Sequence, residues 1–220
     1  PLPRRTRGMP PSVQGRLSHE ALMHFWQRHQ TSAALLALAP NSLASAIGEA
    51  VDAAIASGLQ ARHFGAAWIA LERRRLISQL TEWLGHERRR TEPFEVIACE
   101  VPLRAQWDAL PIHLRLDRAD TVTTADGPQV LLIDYKTGAA PREAFEGKAL
   151  FQMKFYGLVM WRRTGRVPDL LQLVYLKDGT IVRYEPDEAD LLALERLEGV
   201  DVDVHVSPPS RRRPACCQVA

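Results

Sequence analysis

The residues in this sequence best suited to form a catalytic site are a carboxylate and a lysine two positions later, Asp134 and Lys136. The preceding apolar run, Val130 to Ile133, is typical of a buried strand. Because side chains alternate along a strand, Asp134 and Lys136 must share one face, while Ile133 and Tyr135 occupy the other. A carboxylate can bind a metal ion, and a neighbouring ammonium can handle a proton or stabilise developing charge. Surface strands also carry this pattern by chance.

A second carboxylate, Asp117, lies within an alternating segment over residues 111–120 that predicts a half-buried strand. A turn-rich connection joins this segment to the strand that ends at Asp134, so the two strands are expected to pair antiparallel. That pairing would bring both carboxylates to one hard cation, which prefers oxygen ligands. The alternative is that Asp117 pairs with Arg115 or Arg118 on a solvated face.

Two further polar side chains, Gln152 and Tyr156, stand four residues apart in a predicted helix and therefore share one face of it. Aimed at the end of a sheet, they could hold a phosphate group or a water molecule. The alternative is a half-buried tyrosine with a solvated neighbour.

The elements that must position these residues fall into two regions. Apolar residues at three- and four-residue spacing predict helices over about 12–29, 41–58 and 62–90. After Pro93 the period changes, and the pattern predicts strands, a helix over about 145–164, a hairpin over 171–184 and a last helix over about 187–197. We expect one α/β domain, with a helical lobe over residues 1–92 packed on a small mixed β-sheet flanked by helices over 93–198. Residues 199–220 are expected to be a disordered or truncated tail.

The sequence also predicts a helix cap and an apolar helix face. Asn41 or Ser42 is expected to cap the second helix. The apolar stripe of the third helix is expected to comprise Phe64, Trp68, Leu71, Leu76, Leu80 and Leu84.

Charge, apolar runs and cysteine content bear on the kind of protein and on its compartment. The net charge of +2 over 220 residues argues neither for nor against nucleic acid. No apolar run approaches the roughly 20 residues of a membrane span. The chain begins with neither an initiator Met nor the apolar core of a signal peptide, so we expect a cytoplasmic fragment of something longer. The three cysteines cannot form a disulfide framework and fit a reducing compartment.

The family that this sequence resembles is the RecB- and AddB-like nucleases of the PD-(D/E)XK superfamily. The resemblance rests on four motifs in the family's order and covers about residues 12–198. These are Gly15-Arg16-Leu17-Ser18-His19-Glu20-Ala21-Leu22, Leu116-Asp117-Arg118-Ala119-Asp120, Asp134-Tyr135-Lys136-Thr137-Gly138, and Gln152 with Tyr156. The resemblance implies a restriction-endonuclease-like core.

The resemblance also implies roles for individual residues. The residues that match the divalent-metal ligands of the family are His19, Asp117, Asp134 and the backbone carbonyl of Tyr135. Lys136 matches the catalytic lysine, which acts together with Asp117 and Asp134. The ion would be Mg²⁺ or Mn²⁺, which shields the phosphodiester and activates water.

Three more residues are implicated less directly. Gln152 and Tyr156 would bind the substrate by positioning the scissile phosphate. Glu100 stands near the place where relatives carry an additional acidic residue. Some relatives hold an iron–sulfur cluster, but no cysteine precedes His19 and the tail offers only the adjacent pair Cys216-Cys217, so no cluster is expected.

The expected activity is metal-dependent DNA cleavage of the exonuclease type in DNA repair or recombination, on DNA ends or single strands. The sequence contains no P-loop, so helicase activity would come from a motor subunit or a missing N-terminal portion. One alternative is a catalytically inactive module that keeps the nuclease fold for DNA binding or complex assembly. Another is an unrelated metal hydrolase acting on small phosphoesters.

Overall fold

The computed structural model describes residues 9–59, 64–107, 110–140 and 148–196. The predicted mixed α/β architecture is confirmed within these ranges. In chain order the elements are α1 (Pro11–Arg28), α2 (Ser32–Ala37), α3 (Pro40–Gly58), α4 (Ala66–Glu87), β1 (Phe94–Trp107), β2 (Leu110–Thr124), β3 (Gly127–Lys136), α5 (Lys148–Thr164), β4 (Leu170–Tyr175), β5 (Thr180–Tyr184) and α6 (Glu188–Arg196).

The five strands of the described residues form one mixed sheet in the order β1-β2-β3-β4-β5. The first three strands run antiparallel to one another, which confirms the pairing predicted for the strands of Asp117 and Asp134. β3 and β4 are parallel, and α5 lies between them in sequence, as a parallel connection requires. β4 and β5 form the predicted hairpin, where Gly179 adopts a φ of +70°.

The sheet separates two hydrophobic clusters. One contains buried residues of α1, α3 and α4 together with side chains of the sheet, among them Ile133 and Tyr135. The other joins α5 and α6 to the opposite side of the sheet, where Leu132 lies. The alternation predicted along β3 is therefore present. The N-terminal helices cover one face of the sheet, and the later helices cover the other.

β2 and β3 separate near Asp117 and Asp134. Their backbone pairing ends with Arg118 opposite Ile133. On the other side of β2, Glu100 of β1 adopts a φ of 51°, a conformation rare for residues other than glycine, between two regular β1–β2 pairs. Beyond this point β1 and β2 continue as a two-stranded ribbon up to the pair Trp107 and Leu110. Glu100 and Asp117 therefore lie where β1 and β2 leave the edge of the larger sheet, beside the end of β3.

A buried ionic network fixes this part of β2 to α4. The Arg118 side chain is fully buried and donates hydrogen bonds to Asp120 at 2.6 and 2.7 Å and to Glu87 at 3.2 Å. Its guanidinium lies 3.9 Å from the centre of the Trp26 ring. Burial opposes the charge, but Asp120 and Glu87 outweigh it and raise the pKa of Arg118. Because Arg118 is committed to this network, it is not the partner of Asp117.

Two details of the helices differ from expectation. α3 begins at Pro40, whose fixed φ suits a first helical position, so the prediction that Asn41 or Ser42 caps it was wrong. The short helix α2 was not predicted; Thr31 caps it by accepting a hydrogen bond from the Ala34 amide at 3.1 Å. The predicted start of α5 at residue 145 and the predicted tail lie outside the described residues.

The apolar stripe of α4 also differs from expectation. Leu76, Leu80 and Leu84 are fully buried, as predicted, but Trp68 is 41% and Leu71 50% exposed. In the first two turns of α4, Ala66 to Glu72, the buried position is Glu72 instead. Arg75 stabilises that carboxylate at 2.6 Å, which makes burial of a charged group tolerable.

None of the helices in the described ranges combines the length and the apolar character that a membrane crossing would require.

Candidate metal centre

His19 reaches the end of the sheet because α1 lies close to the segment that follows β3. Gly15, one turn earlier on α1, faces this segment, and a Cβ atom there would lie 3.4 Å from Thr137 Oγ1. Three residues after Gly15 on α1, the Ser18 hydroxyl accepts a hydrogen bond from Arg75 of α4 at 3.2 Å. α1 is thus positioned by contacts with both α4 and the segment that follows β3.

The imidazole of His19 meets two carboxylates from neighbouring strands. Its Nδ1 atom lies 3.1 Å from Asp117 Oδ1 and 3.5 Å from Glu100 Oε1. One potential ligand atom from each of the three residues lies within 4.8 Å of the other two. Burial alone would lower the pKa of His19, but the hydrogen bonds and charges of Asp117 and Glu100 raise it to about 10.

Asp117 also holds the strand that carries the other candidate residues. Its Oδ2 atom accepts a hydrogen bond of 2.7 Å from the backbone amide of Tyr135. Because backbone pairing between β2 and β3 has already ended at Arg118, this side chain takes the place of a strand carbonyl. One carboxylate oxygen therefore faces His19, while the other anchors the end of β3.

The second half of the site is a chain of polar contacts between β3 and α5. Lys136 Nζ lies 2.6 Å from Asp134 Oδ2 and donates to Gln152 Oε1 at 2.9 Å. The Gln152 amide donates to the Tyr156 hydroxyl at 3.0 Å and lies 3.4 Å from Asp134 Oδ1. The Tyr156 hydroxyl in turn donates to the backbone carbonyl of Arg115 at 2.9 Å. These contacts confirm that Asp134 and Lys136 share one face of β3.

Asp134 is in an unfavourable environment for a carboxylate. Burial is the larger cause and the charge of Asp117 the next, and they raise its pKa to about 6 although Lys136 acts in the opposite direction. Its buried Oδ2 atom has the Lys136 ammonium 2.6 Å away but, among the described residues, no donor of regular hydrogen-bond geometry. A buried oxygen without a hydrogen bond is costly, and a bound cation would relieve that cost.

The residues present therefore fit a divalent cation. Carboxylate oxygens are the donors that Mg²⁺ and Mn²⁺ prefer, and an imidazole nitrogen is compatible with Mn²⁺. The three residues whose ligand atoms converge are His19, Glu100 and Asp117. Asp134 adjoins this group and interacts with it electrostatically, but it is directed towards Lys136 and Gln152.

Tyr135 has two separate environments. Its ring is buried in the cluster on the side of the N-terminal helices, and its hydroxyl accepts a hydrogen bond from Arg118 at 3.1 Å. Its backbone amide binds Asp117. The role of its carbonyl as a metal ligand stays a prediction.

Arg115 belongs to this site, although the sequence suggested it only as an ion-pair partner of Asp117. Its Nη1 atom lies 3.3 Å from Glu100 Oε2. The available signal was strand alternation, which predicts that Arg115 and Asp117, two residues apart on β2, share one face of the strand. The partner Glu100 was not evident, because the irregular conformation at that residue determines which side chains meet.

The family model described as the PD-(D/E)XK nuclease superfamily matches residues 2–202 of this chain. No curated protein matches the sequence.

Proposed function

The chain belongs to the PD-(D/E)XK nuclease superfamily, and from this premise we propose that it is a Mg²⁺- or Mn²⁺-dependent deoxyribonuclease of the RecB-like type, acting as an exonuclease. The observation that carries the proposal is the cluster of His19, Glu100 and Asp117 beside the pair of Asp134 and Lys136. A surface ion pair would not require an imidazole and several buried carboxylates from distant parts of the chain.

The proposed ligands are His19, Asp117, Asp134 and the carbonyl of Tyr135, with Glu100 as the additional acidic residue. When bound, the cation would neutralise charge on the phosphodiester and lower the pKa of the attacking water. Asp117 has the further task of holding Tyr135 in place through the backbone amide. Both aspartates are buried, which limits the access of bulk water to their carboxylates.

Lys136 is proposed to orient or deprotonate the attacking water, or to stabilise the charge that develops in the transition state. Its contacts with Asp134 and Gln152 hold the ammonium in one place before substrate arrives. Gln152 and Tyr156 are proposed to position the scissile phosphate, because their polar atoms lie on the same face of α5 as the Lys136 contact.

The biological setting that we propose is DNA repair or recombination. The substrate would be DNA ends or single strands, supplied by a helicase subunit or by a motor region elsewhere in a longer chain. We also propose that this chain has two parts, a helical lobe over residues 1–92 and a nuclease core over residues 93–198.

Digestion of end-labelled single- and double-stranded DNA in Mg²⁺, Mn²⁺ or chelator tests the proposal. The protein should cut DNA with either metal and lose activity in chelator. Lys136→Ala should lower the rate by about 10²- to 10⁴-fold while the fold and most of the DNA affinity remain. The matched control is Lys154→Ala. Lys154 also pairs with an aspartate, since its ammonium lies 3.2 Å from Asp190 of α6.

Two results would contradict this assignment. Cleavage by Lys136→Ala at the wild-type rate would remove Lys136 from its proposed role. Calorimetry without a Mg²⁺ or Mn²⁺ site, together with absent cleavage, would instead identify an inactive module with the nuclease fold.

A further inference from the structure

Arg115 is a cation at the edge of the candidate metal centre to which the proposed chemistry assigns no role. We propose that Arg115 binds a phosphate of the DNA strand adjacent to the scissile bond. This inference rests on the proposed nuclease function. It assigns part of the substrate contact to β2, in addition to the residues of α5.

The first observation is the contrast in burial within one ion pair. The Arg115 side chain is 64% exposed, while its partner Glu100 is 7% exposed. The carboxylate therefore lies inside the site, and the guanidinium lies on its solvent side. A DNA strand that approaches the metal centre from solvent would meet Arg115 before it meets the carboxylates.

The second observation is that the backbone of Arg115 is fixed. Its carbonyl accepts the hydrogen bond from Tyr156, and it pairs with Pro102 across the β1–β2 ribbon. The next residue, Leu116, is buried in the cluster formed with α5 and α6. A guanidinium on a fixed backbone loses less conformational freedom when it binds a ligand, which favours a specific contact.

The third observation concerns the shared carboxylate. Glu100 directs Oε1 towards His19 and Oε2 towards Arg115. A cation bound by Glu100 would draw charge from this carboxylate and weaken its attraction for Arg115. The guanidinium could then bind two phosphate oxygens, a geometry that arginine matches well.

Electrostatics supplies the reason why such a residue is needed. Glu100, Asp117 and Asp134 place three carboxylates where an anionic phosphodiester must approach. Lys136 is already in contact with Asp134. A second cation at the edge of the site reduces the repulsion before the phosphate reaches the metal ligands.

The test measures the binding of a short single-stranded oligonucleotide over a range of salt concentrations. Lys136→Ala serves as the background, so that the DNA stays intact in Mg²⁺. Adding Arg115→Gln should weaken binding and reduce the slope of log K against log salt by about 0.7, the value for one lost phosphate contact. Arg115→Lys should restore the slope, because it keeps the charge. In the catalytically intact protein, Arg115→Gln should also lower kcat/KM by about tenfold or more.

Arg166→Gln is the matched control. Arg166 is 54% exposed and pairs with Asp169 at 2.9 Å, but it contacts the carbonyl of Pro128 near the start of β3, away from Lys136. Arg166→Gln removes one positive charge, as Arg115→Gln does, and should leave the salt slope unchanged.

An unchanged slope in Arg115→Gln, or an equal decrease in Arg166→Gln, would overturn the inference while the nuclease function stands. If wild-type protein cuts no DNA and Lys136→Ala binds none, the proposed function fails and this inference fails with it. Urea unfolding of Arg115→Gln at the wild-type midpoint verifies that the variant is folded, as expected for so exposed a side chain.

Discussion

His19 is the residue at which a proton would compete most directly with the proposed metal ion. In the protein without metal, the hydrogen bonds and charges of Asp117 and Glu100 outweigh the effect of burial and raise the pKa of His19 to about 10. The imidazole is therefore protonated near neutral pH and forms ion pairs with the two carboxylates. A metal ion must displace this proton in order to use the nitrogen, so metal affinity should rise with pH.

The same pKa predicts how His19 stabilises the metal-free protein. The folded-state pKa of about 10 exceeds the ordinary value of 6.5, so the stabilisation is complete below pH 6.5 and disappears as the pH rises through 10. His19→Gln should therefore lower the free energy of unfolding in chelator most at pH 6 and least near pH 10. Urea unfolding at several pH values, with wild type alongside, measures this difference.

His29→Gln provides the control for that prediction. Burial first, and then the charge of Arg28, lower the pKa of His29, so its removal should not reduce stability more at low pH than at high pH. A His19→Gln effect that is constant between pH 6 and pH 10 would contradict the proposed ion pairs.

Individual side chains were predictable where a local rule applies. Strand alternation suffices to put Asp134 and Lys136 on one face of β3, and their contact confirms it. The meeting of His19 with Asp117 joins residues 98 positions apart, which no local period encodes. The family resemblance suggested that pair, whereas Arg115 had neither a local rule nor a motif to identify its partner.

At the scale of elements, the crossing of α1 and α3 determines where His19 lies. Gly58, the last residue of α3, lies so close to α1 that a Cβ atom there would be 2.6 Å from Leu17 and 2.8 Å from Glu20. Leu17 and Glu20 flank the histidine on α1. The absence of a side chain at residue 58 therefore permits the helix position on which the candidate metal centre depends.

Gly58→Ala should consequently destabilise the protein, although alanine favours helices. Leu17 is fully buried and cannot move freely, so we expect overpacking to cost about 1–3 kcal/mol. Gly48→Ala, on the same helix, is the control, because among the described residues a Cβ atom there would meet Arg73 Nη2 alone, at an ordinary contact distance of 3.7 Å. That change should gain roughly 0.5–1 kcal/mol from helix propensity. Urea unfolding compares them, and stabilisation by both substitutions would disprove the close crossing.

The elements themselves were predictable to different degrees. Long periodic segments such as α1 and the hairpin of β4 and β5 were found close to their true bounds. The exposed face of α4 was not predicted correctly. Burial of Glu72 depends on Arg75 and on a side chain of α1, and these tertiary contacts override the apolar pattern around Leu71. The six-residue helix α2 is too short for a periodic signal.

At the scale of the whole molecule, the helices before residue 92 and the sheet share one hydrophobic cluster. Phe94, Ile133 and Val174 of three strands lie in it beside Leu17 of α1 and Leu80 of α4. The division into a helical lobe and a nuclease core remains a proposal about the sequence. Because neither part buries this surface alone, we expect both to unfold in one cooperative transition.

A metal ion at the proposed site would connect these two regions, since His19 lies on α1 and Glu100 and Asp117 lie on β1 and β2. The ligands converge only in the folded chain, so Mn²⁺ should stabilise the native state. At a free concentration of 100 times Kd the gain should be about 2.7 kcal/mol.

Urea unfolding followed by tryptophan fluorescence and by circular dichroism should show one shared transition that Mn²⁺ shifts upward. Asp117→Asn should abolish the shift, whereas Asp52→Asn, which disrupts an exposed pair with Arg73, should retain it. An equal shift in both variants would mean that Mn²⁺ stabilises the protein at another place and does not join α1 to the sheet.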